Sequence, residues 1–206
     1  MKKYKLVPSL ACVVIIVLAV WLRWGDGGAE LEPVTVVLDG LPGVSHTGIY
    51  VAQELGYYRD AGIKLDIIRF ANKENVAALI ATETGDFGIS SREDVESARE
   101  SALPVRAIAA VTQDGAPVIV ASETMLANRP ELVRAFLAAT AKGYEYAAAE
   151  PDKAAAMLYK VAEGELDALK QAQRVISEKY IGGAEKWGVM SASAWAAGSM
   201  TNEFLP

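Results

Sequence analysis

The stretch VRAIAAVTQDGAPVIVA, residues 105–121, decides the fold of this chain. Two apolar runs rich in β-branched residues, 105–111 and 118–121, are separated by only six residues, too few for an intervening helix. Asp114 and Gly115 supply the positive φ angles of a tight primed turn, so the two runs are predicted to pair as an antiparallel hairpin. Upstream the pattern differs. Residues 34–38, 65–70 and 87–90 read as strands, and helical stretches follow them, from near Ser45 to 55, over 76–82 and from Ser91 to about 101. Strand–helix alternation predicts an α/β layered sheet. The hairpin adds an antiparallel member, so the expected sheet is mixed, with about five strands flanked by helices.

Past the hairpin the chain reads as helical. Asn128, Pro130 and Glu131 have the composition of a helix start. Leu132, Val133, Phe136, Leu137 and Thr140 then recur at helical spacing and mark one buried face of a helix running to about Ala149. Pro151 restarts the chain into a helix over 152–161, a further helix covers 165–177, and Gly182 and Gly183 end the series. Trp195 is expected on a last short helix. Tyr57, Tyr58, Tyr144 and Tyr146 are expected in the core or at its margin, and Trp187 as a packing anchor.

The formal net charge is −6, and no Lys/Arg-rich stretch follows the N-terminus, which excludes nucleic acid as a partner on electrostatic grounds. The single cysteine, Cys12, allows neither a disulfide framework nor a cysteine zinc site within one chain. Lys2, Lys3 and Lys5 precede an apolar run over 10–22, the signature of a secretory signal that sends the rest of the chain outward. Three fates are compatible with it: an uncleaved anchor, cleavage, or lipidation at Cys12, whose alternative is a small apolar residue in lipid. Residues 1–29 are accordingly read as signal or membrane anchor plus linker, and 30–206 as one lobe with its own core. The expected location is periplasmic or on the extracellular face of the cytoplasmic membrane, with contact to the membrane through the N-terminal segment.

In an open α/β sheet, ligands sit beyond the carboxyl ends of the strands. Asp39 follows the first strand, Ser90 and Ser91 the third, and Gln113 the fourth, while His46 lies in the first helical turn after strand one. Asp39 could accept hydrogen bonds from a ring amine or hydroxyl, or act as a turn residue bonding its own backbone. Ser45 and Ser91 could contact ligand or cap their helices, and capping is the reading preferred for Ser45. His46 is the only histidine, and a lone histidine is more often structural than catalytic. No metal partners stand at suitable spacing from it. No activated nucleophile or carboxylate pair stands out, so the sequence is read as a binding protein, with no catalytic residue, no metal ligand and no cofactor.

Four stretches carry a resemblance. They are LDGLPGVSHTGIYVA (38–52) with Gly56, Tyr57 and Tyr58; GDFGIS (85–90) running on to LPVRAIA (103–109); NRPELVRAFLAATAKGYEYA (128–147); and KWGVM (186–190). The chain resembles bacterial substrate-binding proteins that deliver hydroxymethylpyrimidine-type thiamine precursors to ABC transporters, relatives of fungal hydroxymethylpyrimidine phosphate synthase. The resemblance implies a periplasmic-binding-protein-like (type II) fold, a small pyrimidine ligand and an ABC permease as partner. It raises the expectation that His46 faces ligand, and the expected ligand-binding residues are Asp39, Gly43, His46, Ser90 and Ser91. Members of that family have two lobes, the second inserted after the fourth strand. Here the Asp114–Gly115 turn stands at that point, so one lobe is expected. Family members also tend to carry Trp, Asn and Asn where this chain has Gly40, Gly43 and Ser45. Fungal synthases pair a lysine with a histidine in this loop, and residues 39–46 contain no lysine. The expected function is an extracytoplasmic substrate-binding component for a thiamine pyrimidine precursor, weakened by loss of the second lobe. The alternatives are a tethered lobe that interacts but does not transport, and a binder of nitrate, sulfonate or taurine type.

Overall fold

Strands β1 (Glu32–Leu38), β2 (Ile63–Arg69), β3 (Phe87–Ser90), β4 (Val105–Ala110) and β5 (Val118–Ser122) form one sheet, ordered β2-β1-β3-β5-β4. The computed structural model describes residues 30–70, 74–113, 117–196 and 198–206, and the backbone alone of Ala194. The readings of residues 1–29, including Cys12, and of the Asp114–Gly115 turn lie outside the described residues. β1 pairs in parallel with β2 and β3, whereas β5 runs antiparallel to both β3 and β4. The expected antiparallel pairing of the fourth and fifth strands is therefore present, with Ala107 opposite Val120 and a bulge before Ala109. β5 also inserts between β3 and β4, so β4 points the same way as β1, β2 and β3. The carboxyl ends of four strands thus share one rim.

Alternation along the strands sends side chains to two different cores. Val34, Val36 and Leu38 of β1, with Phe87 and Ile89 of β3, enter the larger cluster. That cluster is covered by α1 (Thr47–Glu54), α2 (Tyr57–Asp60), α6 (Pro130–Ala149), α7 (Pro151–Leu158) and α8 (Leu166–Ile181). Val37, Val118 and Val120 enter the smaller one, under α3 (Val76–Ala81) and α4 (Arg92–Glu100). Leu132, Val133, Phe136, Leu137 and Thr140 are all buried on α6, as their spacing predicts. Phe136 stacks on Phe87 at 3.9 Å between ring centroids, which locks α6 onto the sheet.

The closest helix crossing is made by glycine. A Cβ on Gly143 of α6 would stand 2.0 Å from the carbonyl oxygen of Gly48 in α1, and one on Gly48 would lie 2.2 Å from Cγ of Tyr144. Only hydrogen at both positions lets the two backbones approach this far and lets the Tyr144 ring lie across α1.

Several helix starts differ from expectation. The expected helix start at Ser45 is a 3-10 turn, Val44–His46, which follows Gly43. Ser45 is not its cap, because it lies inside the turn, whose N-cap is Gly43. Asn128 does not cap α6 but ends an additional helix, α5 (Glu123–Asn128). Ser122 creates α5: its hydroxyl accepts from the Met125 N–H at 3.1 Å, so the chain turns helical directly off β5. α8 runs four residues beyond 177, to Ile181, and stops at Gly182 as expected. Trp195 follows the final 3-10 turn, Ala192–Ala194, and is not in it.

Candidate binding rim

Between β1 and α1 the chain makes a loop whose polar atoms are tied to one another. His46 is buried, 3% exposed, and its Nε2 lies 2.8 Å from Asp39 Oδ1. The backbone N–H of Gly43 donates to His46 Nδ1 at 3.1 Å. Nδ1 is therefore the acceptor, and the imidazole proton sits on Nε2 and is donated to Asp39. The Gly43 carbonyl in turn accepts from the His46 N–H at 2.9 Å. Gly43 is held by backbone alone, in extended conformation that any residue adopts. The arrangement aims Asp39 at the rim. Its carboxylate is 31% exposed, and Oδ2 has no hydrogen-bond partner among the described residues.

The loop is also held from behind. Tyr180 of α8 donates to the Val44 carbonyl at 2.5 Å, and Tyr144 of α6 donates to the Ser45 carbonyl at 2.7 Å. Tyr144 stacks on Trp187 at 4.8 Å and meets Tyr180 edge-on at 4.9 Å. Trp187 is fully buried and donates from Nε1 to the Val111 carbonyl, as befits the packing role expected of it. Burial pushes the Tyr180 phenol up to about 12 and the Tyr144 phenol well above the usual tyrosine range, so both hydroxyls remain protonated donors. Sequence reasoning read Tyr144 correctly as a core residue and missed its bond to the loop. No local signal marks it, since Ser45 and Tyr144 are 99 positions apart.

Ser90 and Ser91 occupy the β3 part of the same rim. Ser90 is fully buried, and its hydroxyl has no hydrogen-bond partner among the described residues. A Cβ on Gly88 would meet Val76, Ile80 and Val120, so Gly88 and, two residues on, Ser90 face the smaller core. Ser91 caps α4 by accepting from the Asp94 N–H at 3.1 Å, which was one of its two expected roles. Gln113, at the end of β4, is tied into structure: its N–H donates to the Lys179 carbonyl and its side chain to the Val189 carbonyl. The loop thus brings Asp39, Gly43 and His46 into one hydrogen-bonded unit, whereas Ser90 and Ser91 make no bond to it. Among the described residues, no group of three or more His, Cys, Asp or Glu side chains could hold a metal ion. No helix among them is long and apolar enough to cross a membrane.

A mixed five-stranded sheet with one antiparallel strand inserted among parallel ones and helices on both faces has the fold of periplasmic binding proteins. A Candida albicans gene product described as exhibiting the generic periplasmic binding protein structural fold superposes with a TM-score of 0.62. Identity is 10%, over 72% of this chain and 83% of that one. The ligand binding component of an ABC-type import system from Staphylococcus aureus, solved with zinc bound, gives a TM-score of 0.61. Identity is 9%, over 78% of this chain and 87% of that one. The family model described as NMT1/THI5 like matches residues 44–116 and 115–154, together more than half of the chain. The chain belongs to this family. The two matched stretches meet between β4 and β5, where the second lobe was expected to be absent.

Two relatives are named for pyrimidines. The formylaminopyrimidine-binding protein of Halalkalibacterium halodurans is 32% identical over 113 residues, 55% of this chain and 34% of that protein. The 4-amino-5-hydroxymethyl-2-methylpyrimidine phosphate synthase of Legionella pneumophila is 35% identical over 75 residues, 36% of this chain and 24% of that protein. The match therefore spans about a third or less of each relative's length.

Proposed function

We propose that the rim beyond β1 and β3 binds a thiamine pyrimidine precursor, and that the chain serves as an extracytoplasmic substrate-binding component of an ABC importer. The observation that carries this reading is the Asp39 carboxylate. One of its oxygens is bonded to buried His46 and the other has no partner among the described residues. A fixed, partly exposed carboxylate accepts two N–H or O–H donors well and repels anions. An aminopyrimidine presents such donors, whereas nitrate, sulfonates and taurine present anionic groups, so Asp39 favours the first class over the second. The family membership and the relative named for formylaminopyrimidine support the same choice. His46, with both ring nitrogens engaged, has no lone pair left for base catalysis, so the rim reads as a binding surface and not an active site.

A single lobe offers one wall to a ligand, whereas good sites bury about 70–90% of it. Affinity should accordingly lie near millimolar, about −4 kcal/mol. Calorimetry with formylaminopyrimidine and hydroxymethylpyrimidine tests both claims. Weak binding abolished by Asp39→Asn supports the assignment. Micromolar binding by the monomer refutes the one-wall argument, and equal binding by the Asp39→Asn variant refutes the role of Asp39.

A further inference from the structure

Gln173 lies fully buried in α8, and only one orientation of its amide satisfies its neighbours. Its Nε2 is 3.0 Å from Ser177 Oγ and 3.1 Å from Tyr180 Oη. Ser177 Oγ already donates to the Ala147 carbonyl at 2.9 Å, and Tyr180 Oη to the Val44 carbonyl. Each hydroxyl has one proton and has committed it, so each can only accept from Gln173. The two protons of the Gln173 NH2 match those two acceptors. Oε1 is left to accept, and Thr47 Oγ1 supplies the proton from 2.7 Å, with the Val44 carbonyl at 2.9 Å as its second acceptor. The Gln173 amide is therefore satisfied in one direction only, with Thr47 sharing its one proton between Gln173 Oε1 and the Val44 carbonyl, and satisfied buried networks hold a single geometry.

The cluster ends on the binding loop. Val44 is held at its carbonyl by Tyr180, and Thr47 at its hydroxyl by Gln173. Ser45 is held at its carbonyl by Tyr144. These three residues flank His46, whose ring aims Asp39. We propose that Gln173 is the positioning residue of the rim: through Thr47 and Tyr180 it fixes the turn that holds His46 against Asp39, and so sets the direction in which Asp39 meets ligand. The inference rests on the ligand reading of the rim, but its principal readout needs no ligand.

His46 is the only histidine, so uniformly 15N-labelled full chain gives one imidazole spin system. The wild type should show the Nε2-protonated tautomer with a slowly exchanging Nε2 proton. Gln173→Met removes the amide at similar volume. It should release the turn, seen as a mixed or averaged tautomer and faster exchange of that proton, with pyrimidine affinity down about tenfold. Gln173→Glu keeps the shape but loses both donors, and should change the imidazole signal in the same way. Thr47→Ser, which retains the hydroxyl, should keep the wild-type signal, and Thr47→Val should lose it. An unchanged His46 signal in Gln173→Met, despite a lower melting temperature, would overturn the proposal and leave Gln173 as a core filler. Should that variant fail to fold, Tyr180→Phe decides, since it removes only the hydroxyl on Val44: a wild-type imidazole signal there also overturns the proposal. If the wild type binds no pyrimidine in calorimetry, the ligand reading fails while the His46 signal still decides the positioning role.

Discussion

At the end of β1 the chain passes through a loop whose carbonyls and Thr47 hydroxyl find partners on α6 and α8, while the His46 ring nitrogens are bonded within the loop to Gly43 and Asp39. At the end of β3 it runs straight from Ser90 into α4, capped by Ser91, and Ser90 itself has no partner among the described residues. The first half of the rim faces the larger core, under five helices, and the second faces the smaller core, under two. A thick helical layer can bring side chains from distant sequence to a loop. Two short helices of six and nine residues have fewer to bring, so the β3 half relies on local capping. The rim thus joins a rigidly oriented carboxylate, Asp39, to a half in which the buried Ser90 hydroxyl has no partner among the described residues.

The sharpest way to break this contrast is to separate the thick layer from the sheet. Gly143→Ala places a methyl against the Gly48 carbonyl at a backbone crossing that cannot yield, and should destabilise the protein by about 3 kcal/mol or more in denaturant unfolding. Alkaline pH attacks the same layer without mutation. Burial raises the phenols of Tyr58, Tyr144 and Tyr180, all in the larger cluster, above their unfolded value of about 10. A raised folded value means the stabilisation is complete below pH 10 and is lost as pH rises through the folded values. Ultraviolet titration should show these phenols ionising together with unfolding and not before it.

Within the loop, His46→Ala removes both ring bonds and leaves the Gly43 N–H unpaired. It should cost about 2–3 kcal/mol and weaken pyrimidine binding as Asp39 loses its orientation. Gly40→Trp sharpens the comparison from the other direction. A Cβ at Gly40 meets no atom within 4 Å, so a tryptophan can be introduced there to add a stacking surface. Affinity should improve by about 1 kcal/mol, a gain read by calorimetry. Ser90→Ala, on the β3 half, should change stability by less than about 0.5 kcal/mol, because it removes a buried hydroxyl that makes no bond in the free protein. The same variant should lower ligand affinity if Ser90 meets the ligand, so a null result in both measurements removes Ser90 from the site.

Much of this was legible in residue order. The runs 105–111 and 118–121 announced a mixed sheet because the six residues between them cannot hold a crossover helix. Strand–helix alternation put Asp39, Ser90 and Ser91 at carboxyl ends, and that suffices to locate a rim. Ser91 was legible as a cap because its partner is Asp94, three residues on. The β5 insertion between β3 and β4 was not legible, since strand order is chosen by which edges bury best and leaves no local trace. Nor was the cap of α5: the strand was read to end at 121 and the next helix to start near Asn128, whereas Ser122 ends β5 and its hydroxyl accepts from Met125 to open a helix at once.

Sequence alone determined the layered α/β class, the antiparallel fifth strand and the placing of Asp39, Ser90 and Ser91 at strand ends, because each rests on periodicity or spacing within a few positions. Tertiary structure alone decided that His46 is an orienting group with its proton on Nε2, and that Gln173, Tyr180 and Tyr144 hold its loop. The bonds from Tyr144, Gln173 and Tyr180 link residues 99 to 136 positions apart, and a hydrogen bond's direction is set by which donors packing has already used.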